Sequence, residues 1–65
     1  MITKAAYENA KQALLTVYNQ VAPDGATQQE MVREVLHFEQ DGMSMDETLL
    51  CIAESIRNLV KFQQR

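Results

Sequence analysis

The chain contains one cysteine, one histidine, one proline, two glycines and no tryptophan, and each scarcity removes a class of architecture or chemistry. A single cysteine closes no disulfide within the chain, and one Cys with one His cannot fill a tetrahedral zinc site. The two usual staples of small folds are therefore missing, and no metal is expected. Asp41, Asp46 and Glu47 lack the loop spacing of a calcium site. Both glycines fall in turn sequences, Pro23-Asp24-Gly25 and Asp41-Gly42-Met43-Ser44, which leaves no glycine-rich loop to cradle a phosphate or cofactor. No window approaches the roughly 20 consecutive apolar residues of a transmembrane helix, and Met1-Ile2-Thr3-Lys4 does not begin an apolar leader. The expectation is a cytoplasmic protein without a membrane role, and the unpaired Cys51 suits a reducing compartment.

Positive charge is also scarce. Six Lys and Arg face nine Asp and Glu, for a net charge of -3. The bases Lys4, Lys11, Arg33, Arg57, Lys61 and Arg65 form no stripe along the sequence. Nucleic acids and anionic membranes select concentrated basic patches, so neither is the expected partner. Catalytic parts are missing too. Cys51 and His37 are the one conceivable nucleophile and base, yet the helical pattern puts them on different helices with His37 facing solvent. The chain is expected not to be an enzyme and to need no cofactor.

What is present is helical pattern. Hydrophobic residues at 46% and charged residues at 23% give a globular balance. Thr3 is placed to cap a first helix, with Ile2 set to staple against Tyr7. Tyr7, Ala10, Leu14, Val17 and Val21 then recur at helical intervals with Tyr18 beside them, while Ala6, Ala10 and Ala13 form a small-residue edge for close helix approach. Ala22 precedes Pro23, which disfavours helical backbone, so the first helix is expected near 4–22. Thr27 and Glu30 have capping-box spacing and predict a second helix near 28–41, closed by Gly42 in a left-handed conformation. Met31, Val32, Val35, Leu36 and Phe38 spread over about 160° of that helix, more than one packing contact requires. Ser44 and Glu47 make a second capping box and start a third helix near 45–62, whose main stripe is Met45, Leu49, Ile52, Ile56, Leu59 and Val60. Gln63-Gln64-Arg65 reads as a polar tail that frays.

These segments predict an all-α, compact three-helix domain spanning 1–65, built of antiparallel helical hairpins around Leu14, Val17, Val35, Leu49, Ile52 and Ile56. A chain of this length buries only about 60% of its unfolded surface, so association into a homodimeric helical bundle is expected to supply the missing burial. Several residues lie outside the predicted core and are the candidate interface. Phe38 stands at the edge of its arc, and Glu39 falls within the apolar arc, where it either snorkels past the helix end or makes an ion pair across an interface. Leu50, Cys51 and Phe62 lie off the main stripe of the third helix, and Leu15 is a single stray on the first. The functional expectation is a small non-catalytic protein-interaction or regulatory module acting on a protein partner. A helix-turn-helix nucleic-acid-binding regulator is the alternative, suggested by two helices joined across Asp41–Ser44. Against it, Asp46 and Glu47 occupy the start of the would-be reading helix, where phosphates would repel them.

Overall fold

A computed structural model describes residues 2–63 and contains α1 (Lys4–Val21), α2 (Gly25–Gln40) and α3 (Met45–Gln63). No strand occurs among the described residues. The Thr3 hydroxyl accepts the Ala6 N–H at 3.1 Å, and the Ser44 hydroxyl accepts the Glu47 N–H at 3.2 Å, so two of the three starts use the caps read from the sequence. The second start differs. Asp24, not Thr27, is the N-cap of α2: its carboxylate accepts the Thr27 N–H at 2.8 Å, and the helix begins at Gly25. A carboxylate accepts from backbone N–H groups more strongly than a hydroxyl and also meets the positive end of the helix dipole. The earlier cap therefore prevails and Thr27 becomes a first-turn residue.

α2 ends as expected. Gly42 has φ of +81°, its N–H bonds the Glu39 carbonyl, and the Met43 N–H bonds the Phe38 carbonyl at 3.0 Å. This pair of bonds is a Schellman closure, which reverses the chain toward α3. Gln63 is helical, and its side-chain amide donates to the Val21 carbonyl at 2.7 Å, so the two helix ends are tied. Gln64 and Arg65, the rest of the expected fraying tail, lie outside the described residues.

Three cross-helix bonds fix the directions. The Gln28 amide reaches the Asn19 carbonyl, Lys11 reaches Glu39, and Gln63 reaches Val21. α2 thus runs antiparallel to α1 and α3, while α1 and α3 run parallel and share the most extensive contact. Tyr18, Met31, Val35 and Ile52 form the central cluster, with Leu14, Leu15, Ala22, Ile56 and Leu59 packed around it. Two core assignments need correcting. Val17 is 42% exposed, and Leu15, read as a stray, packs on the core. Both shifts have one cause. The inner seam of α1 runs through Tyr7, Lys11, Leu14 and Tyr18, because the two tyrosine rings bury more area than the aliphatic side chains beside them. The face consequently turns away from Val17 and toward Leu15, and the edge residues Ala6 and Ala13 stand exposed instead of seating a neighbour.

α3 turns in a similar way. Thr48 and Ile52 are both fully inaccessible (0%), whereas Leu49 and Ile56 are half-buried. Thr48 is tolerated in the seam because its hydroxyl donates to the Ser44 carbonyl at 2.9 Å within its own helix.

Candidate functional site

The rotated seams bring polar groups from all three helices to the same end of the bundle. Tyr7 and Lys11 come from α1, Glu39 from α2 and Thr48 from α3. The Tyr7 hydroxyl donates to Glu39 Oε2, and Lys11 Nζ donates to the same oxygen at 2.9 Å. Lys11 also meets Glu8 at 3.2 Å and lies 5.1 Å from the Tyr7 ring centroid, within cation–π range. Tyr7 is buried, and the Lys11 and Glu39 side chains are mostly so. Among the described residues no buried side-chain polar atom lacks a partner.

The electrostatics follow from these contacts. Burial, followed by the Glu39 acceptor, raises the Tyr7 phenol to about 12. The donated bonds from Tyr7 and then Lys11 hold Glu39 below the ordinary carboxylate range. The bond to Glu39 raises Lys11 against the opposing effect of burial. Each group is thus held in the protonation state that its partner needs at neutral pH. The donors of the layer, Tyr7 and Lys11, are engaged by the Glu39 and Glu8 carboxylates. Its geometry suits fixing which helix end meets which, the best-attested use of buried polar residues.

Of the five interface candidates, Glu39 belongs to this layer, with both partners on α1 of the same chain. Phe38 is half-buried at the α2 closure beside Met43. Leu50 is 58% exposed on the outer side of α3. Cys51 is half-buried, and its carbonyl accepts the Ser55 hydroxyl. Phe62 is 71% exposed near the last turn of α3. Phe38 and Phe62 do not share a patch. Phe38 adjoins the start of α3, and Phe62 lies about 26 Å along that helix at a rise of 1.5 Å per residue. His37 points to solvent and pairs with Asp41 at 3.4 Å, away from Cys51.

The sequence reading did not single out Val32 and Leu36, 42% and 52% exposed on α2. The signal was available. A 160° arc is wider than the core it faces, and the surplus is these two residues. Val32 lines a shallow recess with Asn19, Gln28, Gln29 and Arg33, beside the connection between α1 and α2. A second cleft of roughly 400 Å³ at the polar layer is lined by Lys4, Tyr7, Glu8, Glu39, Met43 and Met45. No helix of the described residues is long and apolar enough to cross a membrane. Compared with known proteins, the chain matches no family profile, no curated sequence and no solved structure.

Proposed function

We propose that this protein is a small non-catalytic interaction module that binds another protein and works as a homodimer in the cytoplasm. The observation that carries the reading is the set of large apolar side chains left on the surface: Val17, Val32, Leu36, Leu50 and Phe62. Among the described residues Val32 and Leu36 adjoin one turn apart on α2, and apolar side chains grouped on a surface mark a contact site. The polar layer supports the same reading, since the Tyr7 and Lys11 groups that reach its cleft are already bonded to Glu39 and hold the helix ends together. DNA binding through α3 has less support. Asp46 and Glu47 occupy the first turn of that helix, and Lys11, one of only six bases, is already engaged by Glu39 and Glu8.

The test is the melting temperature over a roughly hundredfold range of protein concentration, combined with capture from native extract on wild-type chain and on Leu50→Glu. A self-associating module melts higher when more concentrated, because association stabilises the folded chain by mass action. Its protein partner should be retained by wild type and reduced on a variant that spoils its contact surface. A concentration-independent melting temperature together with retention of duplex DNA at low salt would replace this reading with the nucleic-acid one.

A further inference from the structure

We infer that the dimer forms through the exposed Val32–Leu36 flank of α2, two copies packing antiparallel about a two-fold axis so that Val32 of each lies against Leu36 of the other. The inference rests on the self-association proposed above and names its surface.

Three observations lead to it. First, the chain exposes 4806 Å², whereas a monomer of 7.4 kDa leaves about 4,200 Å² by the scaling of surface with mass. The excess of about 600 Å² is the area per partner at the lower end of specific interfaces. The shape agrees: the molecule measures 37 × 19 × 15 Å, and its radius of gyration is 11.9 Å against about 10.7 Å expected for this length. Second, α2 carries an uncharged stripe. At about 100° per residue, Gln29, Val32, Leu36 and Gln40 fall within about 80° of one another, outside the buried Met31–Val35 face. Depletion of charge at the centre with polar groups outside is the composition of an interface core and rim. Third, the stripe is self-complementary. Reversing the helix about Glu34 puts Val32 opposite Leu36 and brings Gln29 and Gln40 within one residue of each other, so apolar meets apolar at the centre with amides beyond it in both halves. Arg33 flanks the stripe and stays at the rim. Glu39, on the other flank, is held by Tyr7 and Lys11 within its own chain and brings no unpaired charge to the contact.

Sedimentation equilibrium of wild type, Leu36→Glu and Phe62→Glu tests the assignment. Leu36→Glu sets a carboxylate into both halves of the contact and should raise the dimer dissociation constant at least about tenfold, while Phe62→Glu leaves it near wild type. Register is read separately in a Cys51→Ser background by air oxidation. Gln29→Cys and Gln40→Cys chains should cross-link when mixed, and neither should cross-link alone. A dimer that survives Leu36→Glu and dissociates with Phe62→Glu would overturn this face and keep the self-association reading. A monomeric wild type would overturn both. If Leu36→Glu loses helicity, the cross-linking decides: cross-linking of Gln29→Cys alone would mean a parallel pairing and reject the inference.

Discussion

Glu39 is where a single residue decides most. It stands in an apolar arc that a charge should avoid, and the sequence offers two readings, a side chain that snorkels past the helix end or an ion pair across an interface, neither of which is a bond within the chain. The structure supplies Tyr7 and Lys11. Lys11 was the matching unread signal, a base at a seam position of α1 between Tyr7 and Leu14. Glu39→Gln keeps the shape and removes the charge, and it should cost about 1 to 3 kcal/mol by weakening bonds to mostly buried donors, as read by urea denaturation. The pH dependence has a definite sign. The folded carboxyl of Glu39 sits below its unfolded value, so its contribution is present above the unfolded range near pH 4.5 and lost as pH falls through the folded value. Wild type should lose stability on that acid side more than Glu39→Gln does. On the alkaline side Tyr7 is raised to about 12, so its contribution is intact below about pH 10 and disappears between the two values. Burial raises Tyr18 as well. With two tyrosines and no tryptophan, ultraviolet absorbance of tyrosinate reports this directly. In the folded chain Tyr7 should titrate toward about 12 and Tyr18 above its ordinary value, and two tyrosines that both ionise at the ordinary value would contradict the buried layer.

At the scale of elements, the helices were legible because their signals are local. Recurrence of apolar residues every three to four positions, a hydroxyl before α1 and α3, and a glycine after α2 each act within a few residues. The start of α2 was misplaced because two capping residues compete three positions apart and both spacings are allowed. Asp24→Ala should therefore destabilise by about 1 kcal/mol and Thr27→Ala by clearly less, and the reverse order would restore the later start. Facing was less legible than extent. A hydrophobicity pattern weights aliphatic positions, whereas the seam is set by how tyrosine rings, a lysine stem and a self-satisfied threonine fill the space between three helices. Ile52→Ala, at a fully buried site, should cost about 2 to 5 kcal/mol, enough to unfold much of so small a domain, while Val17→Ala should cost little. Comparable losses at the two sites would mean that α1 faces the core as the aliphatic pattern alone suggests.

For the whole molecule, the same features that make the fold readable leave apolar side chains on its surface. Three helices in this arrangement bury Met31 and Val35 but leave Val32 and Leu36 on the surface of α2. The candidate residues Leu50 and Phe62 remain exposed on α3, and Phe38 sits too far from Phe62 to join it. Sequence pattern identified a surplus of apolar surface and could not place it, because placement depends on helix rotation. The central claim is that this surplus is covered by association, and sedimentation equilibrium of the wild-type chain from low micromolar to several hundred micromolar tests it most directly. The account predicts a weight-average mass that climbs from 7.4 kDa toward twice that value, with a dissociation constant in roughly the micromolar range suited to a small interface. A mass of 7.4 kDa at every concentration would contradict it.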